Sequence, residues 1–234
     1  MNLDPQIVAD FENYFVLYKP PGWFVHPPSD GRALRKFRSR ILTQYLQNQL
    51  GGRVHPVHRL DFATEGILVW AKNPESAGAL SRINEGGGFT KIYHAIVRGH
   101  PTPLDGLIEI PLASDSSLGL VPCRTEYKTL QQIDLPHQVH SKYPTSRYAW
   151  LEVRLHTGRW HQIRRHMNRI SHPIIGDREH GDSHHNRFFR ESLKIPGLLL
   201  KAQSLRFQDP FNQEPRFFES PQTPNWSSLQ ALFQ

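Results

Sequence analysis

The sequence predicts an α+β fold, with a mixed, mostly antiparallel sheet flanked by helices and loops. Short apolar segments that alternate every second residue recur along the chain, with Gly, Pro, Asn and Asp between them. Apolar residues at helical spacing occur in only a few stretches. A chain of 234 residues is long enough to bury one substantial core, either as one large domain or as two closely packed lobes. We expect a single domain that spans residues 1–234.

The first elements alternate between strands and helices. Tyr14–Tyr18 is a strand candidate, and it ends at Lys19-Pro20-Pro21-Gly22, where two prolines and a glycine predict a turn. Residues 32–50 combine five cations with apolar residues at helical spacing, which predicts one basic amphipathic helix. This pattern is more often typical of a surface helix than of a ligand site. Ile67–Ala71 predicts a buried strand.

A helix and a strand are predicted next. Asn73 supplies an N-cap and Pro74 suits the first turn, so we expect a helix that ends near Asn84. Lys91–Gly99 alternates as a strand and carries Tyr93 on one face. A role in the core is the default expectation for that tyrosine.

The second half begins with a polar, proline-containing stretch at residues 131–147, which predicts a long loop between two halves. Tyr148–His156 then alternates as a strand. Residues 159–170 have helical spacing, with Ile163 and Met167 on one apolar face. Most of the cations in this helix are expected to point away from that face.

Composition limits the cellular setting and the partner. The chain has 28 Lys and Arg against 21 Asp and Glu, a net charge of +7 and a pI near 9.7, which favours an anionic partner. A single cysteine excludes a disulfide framework within the chain and a four-cysteine zinc site, and it is typical of a reducing compartment. With no targeting segment and no apolar run long enough to cross a bilayer, the sequence predicts a cytoplasmic protein without a membrane partner.

Clustering of arginine with aromatic residues indicates that the anionic partner is RNA. Guanidinium groups hold phosphates and stack on bases, and aromatic rings stack on unpaired bases. Few acidic residues lie nearby in the sequence to balance the cluster. Its arginines are Arg154, Arg159, Arg164, Arg165, Arg169, Arg178, Arg187 and Arg190, interleaved with Trp160, Phe188, Phe189 and several histidines.

One carboxylate stands out as a candidate nucleophile. Asp61 lies within the stretch His58 to Gly66, directly before the predicted strand, and follows His58 and Arg59, two residues with cationic side chains. Such a neighbourhood favours an ionised, oriented carboxylate. The chain has no Gly-x-Ser-x-Gly elbow and no phosphate-binding glycine loop, and its single cysteine, Cys123, lacks a convincing partner.

Four motifs, in the same order along the chain, resemble those of the RluA family of pseudouridine synthases, and the resemblance covers most of the sequence. They are Lys19-Pro20-Pro21-Gly22, His58-Arg59-Leu60-Asp61, Lys91-Ile92-Tyr93-His94-Ala95, and Thr157-Gly158-Arg159-Trp160-His161-Gln162-Ile163-Arg164-Arg165-His166, the last followed by His172-Pro173-Ile174-Ile175-Gly176-Asp177. The resemblance implies the pseudouridine synthase catalytic fold with a central RNA-binding cleft.

The resemblance also implies roles for individual residues. Asp61 would be the nucleophile on a flipped-out uridine, attacking either C6 of the base or C1′ of the ribose, and the sequence does not separate these routes. Tyr93 would stack on the uracil and assist removal of the C5 proton. Arg164 would pair with Asp61 and keep it ionised. RNA-binding or loop-supporting roles are expected for His58, Arg59, Arg159, His161 and Arg165.

The reaction implied by the resemblance is an isomerisation that needs no cofactor and no metal. Within the family the chain is most similar to the TruC branch, which implies tRNA as substrate, at a target of the uridine 65 type, with ribosomal RNA as the alternative. The expected form is a monomer without the additional S4 RNA-binding domain of some relatives. Glu65, Trp160 and Lys201 depart from the residues that are commonest in the family.

Three other classes of function compete with this interpretation. The first is an RNA-binding protein without catalysis, which the intact Asp61, Tyr93 and Arg164 disfavour. The second is a glycosidase, which usually needs a second positioned acid, and Glu65 would be the candidate. The third is a metal enzyme, suggested by the spacing of His161 and His166, for which the sequence offers no acidic third ligand nearby.

Overall fold

Antiparallel strand pairs form the framework of the protein, as the period-two segments predict. The structure is a computed structural model, which describes residues 4–113 and 119–234. The chain divides into two compact units. The first comprises Met1–Thr90 and Ala202–Pro221, and the second comprises Lys91–Lys201 and Gln222–Gln234.

The sheet of the first unit contains the strands β1 (Gln6–Asp10), β2 (Tyr14–Lys19), β3 (His55–Pro56), β4 (Glu65–Ala71), β11 (Leu200–Gln208, in this unit from Ala202) and β12 (Pro215–Glu219). Their order is β1-β2-β4-β11, with β3 beside β4 and β12 beside β11. β1 with β2, β2 with β4, β3 with β4, and β11 with β12 are antiparallel pairs. The antiparallel architecture expected from the sequence is therefore confirmed here.

The two central strands of this sheet account for the strongest sequence signals. Every residue of β2 and of β4 is buried, so both faces of these strands are covered. The predicted strands Tyr14–Tyr18 and Ile67–Ala71 are confirmed, each slightly longer than expected. The core around them contains Tyr14, Val16, Val57, Ile67, Val69, Ala71, Leu80, Phe89, Leu205 and Phe207.

The helices of the first unit are α1 (Gly31–Lys36), a 3-10 helix (Arg38–Arg40), α2 (Leu42–Leu50) and α3 (Pro74–Glu85). The prediction of one helix over residues 32–50 is therefore wrong. Helical phasing cannot hold across the segment because its first part buries no residue, whereas Ile41, Leu42 and Leu46 are buried in the second part. The predicted helix after Asn73 is confirmed, and the Asn73 side chain accepts a hydrogen bond from the Ser76 N–H at 2.8 Å.

The second unit contains the strands β5 (Thr90–Arg98, in this unit from Lys91), β6 (Asp105–Ile108), β7 (Leu112–Ala113), β8 (Leu120–Val121), β9 (Thr125–Leu135) and β10 (Ser146–Leu155). The sheet order is β5-β10-β9-β6, all in antiparallel pairs, and β7 and β8 form a separate antiparallel pair. The strands predicted over Lys91–Gly99 and Tyr148–His156 are confirmed as β5 and β10.

The long loop predicted over residues 131–147 is only partly correct. β9 continues to Leu135 and β10 begins at Ser146, so the connection comprises residues 136–145. Gln131 and Gln132 are polar because they occupy exposed positions of a strand. The loop joins two neighbouring strands of the second unit rather than two halves of the chain.

The helices of the second unit are α4 (Gln162–Arg169), α5 (Ser183–Glu191) and α6 (Pro224–Phe233). α4 begins later than the pattern predicts because His161, directly before it, has a left-handed backbone with φ of 50°. Across the described ranges, no helix combines the length and apolar character needed to cross a membrane. The core of this unit contains Ile96, Tyr148, Ile175, Phe188, Phe189, Ile195, Leu199, Trp226, Leu229 and Phe233.

We predict that Gly66→Ala lowers the free energy of unfolding by about 2–4 kcal/mol, measured by urea denaturation. Gly66 has φ of +132°, and a Cβ there would lie 2.4 Å from the Ala202 carbonyl oxygen, so the close approach of β4 and β11 requires glycine. Gly52→Ala is the control, because a Cβ at Gly52 would meet nothing within 4 Å. Equal stability of the two variants would contradict the prediction.

Candidate active site

Asp61 lies in a tight turn directly before β4. The Thr64 N–H donates to the Asp61 carbonyl at 3.2 Å, and the strand then begins at Glu65. The preceding Leu60 is buried, whereas Asp61 itself is half-buried. The turn is thus held on both sides by the core of the first unit, while the aspartate keeps access to solvent. A carboxylate in such a position can meet a substrate.

Lys19, the first residue of the Lys-Pro-Pro-Gly turn, is completely buried beneath the Asp61 turn. Its Nζ donates to the carbonyl oxygens of Pro20 at 3.0 Å and of Phe62 at 3.2 Å. Burial lowers the pKa of Lys19 to about 7, although the negative charges of Asp61 and Glu65 act in the opposite direction. The sequence predicted only a turn here. The structure adds a buried amine that ties this turn to the one that carries Asp61.

Glu65 is the other carboxylate of this region, and it is buried. The Tyr18 hydroxyl donates to its Oε2 at 2.6 Å. Burial, together with the charge of Glu65, raises the pKa of Tyr18. Glu65 is therefore bound into the core of the first unit and lacks the exposure that a second catalytic acid of a glycosidase needs.

Tyr93 lies in β5, opposite Val153 of β10, and it is buried. It shares one face of the strand with Ala95, as its position in the alternation predicts. Its neighbour His94 lies on the other face, edge-on to Trp150 with the ring centroids 5.6 Å apart. Burial, with the charge of Lys201 as a second cause, lowers the pKa of His94 to about 4. Tyr93 and His94 therefore lie on opposite faces of the strand.

Arg164 points into the second unit, unlike the exposed orientation expected for most cations of α4. Its Nε and Nη2 donate to the two carboxylate oxygens of Asp177 at 2.7 and 2.8 Å, and both side chains are almost completely buried. Nη2 also lies 3.3 Å from Oε1 of Glu179. This bidentate pair fixes the plane of the guanidinium group.

Asp177 organises the loop that follows α4. Its Oδ1 accepts the backbone N–H groups of Glu179 and His180, both at 3.0 Å. Burial acts to raise the pKa of the Asp177 carboxyl, but the hydrogen bonds from Arg164 and from the two backbone N–H groups outweigh it and hold the pKa below its ordinary value. Sequence reasoning named Asp177 within a motif and as one of the few acidic residues near the arginines, but it missed the role of Asp177 as the partner of Arg164. The expected pairing of Arg164 with Asp61 stays a prediction.

Comparison with known proteins assigns the family. The sequence profile of the family described as RNA pseudouridylate synthase matches residues 13–169. The chain belongs to the RNA pseudouridylate synthase family. The resemblance inferred from the four motifs is therefore confirmed, and both Asp61 and Arg164 lie within the matched residues.

Several proteins are similar to this pseudouridylate synthase over nearly their whole length. The tRNA pseudouridine synthase C of Vibrio vulnificus is 36% identical over 238 residues, covering 98% of this chain and 95% of the relative. The protein of the same name from Vibrio cholerae is 34% identical over 238 residues, with 97% and 95% covered.

Two solved human structures have the same fold. RNA pseudouridylate synthase domain containing 1 has a TM-score of 0.71 at 22% identity, covering 95% of this chain and 86% of that one. RNA pseudouridylate synthase domain containing 4 has a TM-score of 0.70 at 23% identity, covering 97% and 92%. The predicted pseudouridine synthase fold is confirmed.

The basic residues next to the candidate nucleophile have different surroundings. Nε2 of His58 accepts the Val69 N–H at 3.3 Å, and the ring stands edge-on to Phe89, so this side chain contacts the sheet and the core. Arg59 is exposed. The charge of Arg59 adds to burial, the larger cause, in lowering the pKa of His26.

The remaining predicted site residues surround the start of α4. Arg159 is exposed. Nη1 of Arg165 donates to the Ala113 carbonyl at 3.1 Å, and the guanidinium lies 5.8 Å from the centre of the Trp160 ring. His161 is buried and stacks on Trp160 at a centroid distance of 3.9 Å. Trp160 itself is 42% exposed, which leaves an aromatic surface available to a base.

One cluster of residues in the second unit has the spacing of a cation site. His161, Glu179 and His180 each offer a ligand atom, and these atoms lie within 4.8 Å of one another. However, Glu179 already contacts Arg164, whose positive charge opposes a bound cation. Burial and the charge of Arg164 lower the pKa of His161 to about 4, and its Nδ1 lies 3.1 Å from Nε2 of His180, which fits a hydrogen bond between neutral rings. We assign this cluster no metal-dependent step.

His161 and His166, the pair considered for a metal enzyme, have different hydrogen-bond partners. His166 is completely buried. Its Nδ1 lies 2.9 Å from the Thr125 hydroxyl, and its Nε2 lies 2.9 Å from the Ile110 carbonyl oxygen. It is a satisfied core histidine.

We predict that Lys19→Met makes the free energy of unfolding rise less steeply with pH. Between pH 7 and about 10.4 the unfolded chain keeps the Lys19 proton that the folded protein has lost, so Lys19 makes stability rise by up to about 1.4 kcal/mol per pH unit. Below pH 7 both states are protonated, and the buried charge costs its full amount. Urea denaturation from pH 6 to pH 9.5 measures the slope.

The control for this measurement is Lys142→Met, which removes an exposed lysine. Its stability curve should run parallel to that of the wild-type protein. A Lys19→Met curve parallel to the wild-type curve would contradict the assignment of a proton-linked cost to the buried amine.

Proposed function

We propose that this protein isomerises one uridine of tRNA to pseudouridine and that Asp61 is the nucleophile. The observation that carries the proposal is the placement of Asp61 in a turn that Lys19 anchors from below, while the carboxylate keeps access to solvent. The relatives named tRNA pseudouridine synthase C support tRNA as the substrate. A uridine 65 type of target is the finer expectation.

The chemistry requires one nucleophile and a route for one proton. The Asp61 carboxylate attacks C6 of the uracil or C1′ of the ribose, and the bond between N1 and C1′ breaks. The base rotates, and C5 bonds to C1′ in its place. On the C1′ route this new bond displaces Asp61 from C1′, whereas on the C6 route the bond between Asp61 and C6 breaks afterwards. On both routes N1 takes up a proton, and the proton on C5 is lost to solvent. Atoms and electrons balance without a redox partner.

Tyr93 and Arg164 take the roles that family membership assigns to their positions. Tyr93 is proposed to stack on the uracil and to assist removal of the C5 proton. Arg164 is proposed to stabilise the ionised nucleophile. The bidentate contact with Asp177 holds its guanidinium in one orientation, which a lysine at this position would not reproduce.

RNA affinity is proposed to come from exposed arginines of the second unit. Arg154, Arg159, Arg169, Arg178 and Arg187 are exposed, and in the described parts of the chain no acidic side chain forms an ion pair with any of them. Because phosphate contacts supply most of the binding free energy, affinity should not depend on the nucleophile. An RNA-binding protein without catalysis remains the competing function.

We predict that Asp61→Asn lowers turnover at least about a thousandfold and leaves tRNA affinity within about twofold, since only the chemical step loses its nucleophile. Unmodified transcripts of tRNA and of ribosomal RNA are incubated with each protein, and pseudouridine is measured by mass spectrometry of the nucleosides. Fluorescence anisotropy gives the affinity. The wild-type protein should convert one uridine per tRNA and none in ribosomal RNA.

Asp134→Asn is the matched control, because it makes the same chemical change at an exposed position of β9. It should retain wild-type turnover. Conversion of ribosomal RNA alone would overturn the substrate, and binding without conversion of either RNA would favour the competing function. Wild-type turnover by Asp61→Asn would overturn the assigned nucleophile.

A further inference from the structure

A run of uncompensated positive charge lies on the first unit, in residues 31–40, which we name the basic segment. It consists of α1 and the 3-10 helix. It contains no acidic residue, and in the described portion of the chain none of its cations forms an ion pair. Arg40 is half-buried and the other four are exposed; the five are Arg32, Arg35, Lys36, Arg38 and Arg40.

We propose that the basic segment binds the phosphates of the RNA strand beside the target uridine. This inference rests on the proposed function and adds a binding surface that the catalytic motifs do not include. Phosphates are the matching chemistry, because several like charges close together in one short segment repel one another until a polyanion neutralises them.

The segment is fixed to the first unit at both of its ends. At its start, the Asp30 carboxylate caps α1 by accepting the N–H groups of Arg32 at 3.0 Å and Ala33 at 3.2 Å. At its end, the Phe24 N–H donates to the Arg40 carbonyl at 2.9 Å, and the next residue, Ile41, is completely buried. A six-residue helix is unstable by itself, so these anchors hold the charges in place.

An aromatic cluster joins the basic segment to the turn of the nucleophile. Phe37 lies between α1 and the 3-10 helix, and its ring centroid is 4.8 Å from that of Phe62, the residue after Asp61. Phe24 completes the cluster, 4.4 Å from Phe62 and 6.0 Å from Phe37. Lys36 and Arg38, on either side of Phe37, are thus attached close to the catalytic turn. An RNA strand whose uridine reaches Asp61 would pass this surface.

The alternative that the segment is only a solvated face is less consistent with the anchoring. Surface cations that serve solubility are usually interspersed with acidic side chains and need no fixed backbone. Here the cations share a short segment whose helix is capped, and the contact between Phe37 and Phe62 holds that segment in place. A third possibility, an anionic lipid surface, is separated from RNA by the experiment.

The test compares two triple variants that each remove three positive charges from the first unit. The test variant is Arg35→Gln/Lys36→Gln/Arg38→Gln, in the basic segment. The control variant is Arg53→Gln/Arg82→Gln/Arg206→Gln, in other parts of the same unit. KM and kcat are measured with the tRNA transcript, and affinity is measured by anisotropy at several salt concentrations.

The test variant should raise KM at least about tenfold with kcat within about twofold, since the lost contacts bind RNA and take no part in the chemical step. The slope of log affinity against log salt should become shallower by about 0.7–0.9 for each lost phosphate contact. Arg35→Lys/Arg38→Lys should bind nearly as tightly as the wild-type protein, because a lysine is also a phosphate ligand. This variant also guards against misfolding of the triple variant.

Three outcomes would overturn the inference. The two triple variants could weaken RNA binding equally, which would indicate a general effect of net charge. The test variant could lower kcat at unchanged KM. Alternatively, the wild-type protein could bind vesicles of phosphatidylserine and phosphatidylcholine through this segment while RNA affinity stayed unchanged in the test variant. The anisotropy readout needs no turnover, so absence of pseudouridine in every RNA would overturn the proposed function without deciding this inference, which the binding slopes would still decide.

Discussion

The buried amine of Lys19 is the constraint on which the candidate site depends. It is completely buried, and its hydrogen bonds to the carbonyl oxygens of Pro20 and Phe62 tie two turns together. Burial of a charged amine is unfavourable, and it lowers the pKa of Lys19 to about 7. The nearby charges of Asp61 and Glu65 offset part of that cost. The first unit thus gives up stability to fix the turn of the nucleophile in one place.

Charge is divided between positions that are satisfied and positions that are exposed. Glu65 and Arg164 are buried, and each has a partner at hydrogen-bonding distance, Tyr18 and Asp177. The buried ion pair of Arg164 and Asp177 fixes orientation more than it adds stability, because the desolvation of each charge offsets most of the attraction. In the described parts of the chain, the exposed cations of the basic segment form no ion pair, and neither do Arg154, Arg159, Arg169, Arg178 and Arg187, so these side chains are available to phosphates. Geometry and affinity are therefore supplied by different residues.

The elements that the sequence predicts well are those where one signal dominates. β2 and β4 each contain a continuous apolar run, and Asn73 with Pro74 marks a helix start. The prediction of one helix over residues 32–50 was wrong because helical spacing does not show which apolar residues are buried in the folded protein. Among the candidate residues, Asp61 stood out through its motif. The partner of Arg164 did not, since Asp177 is brought to it only by the folded loop.

The measurement that tests the central claim most directly is release of tritium from a tRNA transcript made with 5-tritiated uridine, in EDTA and under single-turnover conditions. It compares Asp61→Asn with Glu65→Gln, two changes that each neutralise one carboxylate of the same region. The account predicts that Glu65→Gln still releases tritium, because glutamine can accept the Tyr18 hydroxyl, and that Asp61→Asn releases none. Release by Asp61→Asn, with loss of release in Glu65→Gln, would contradict the account.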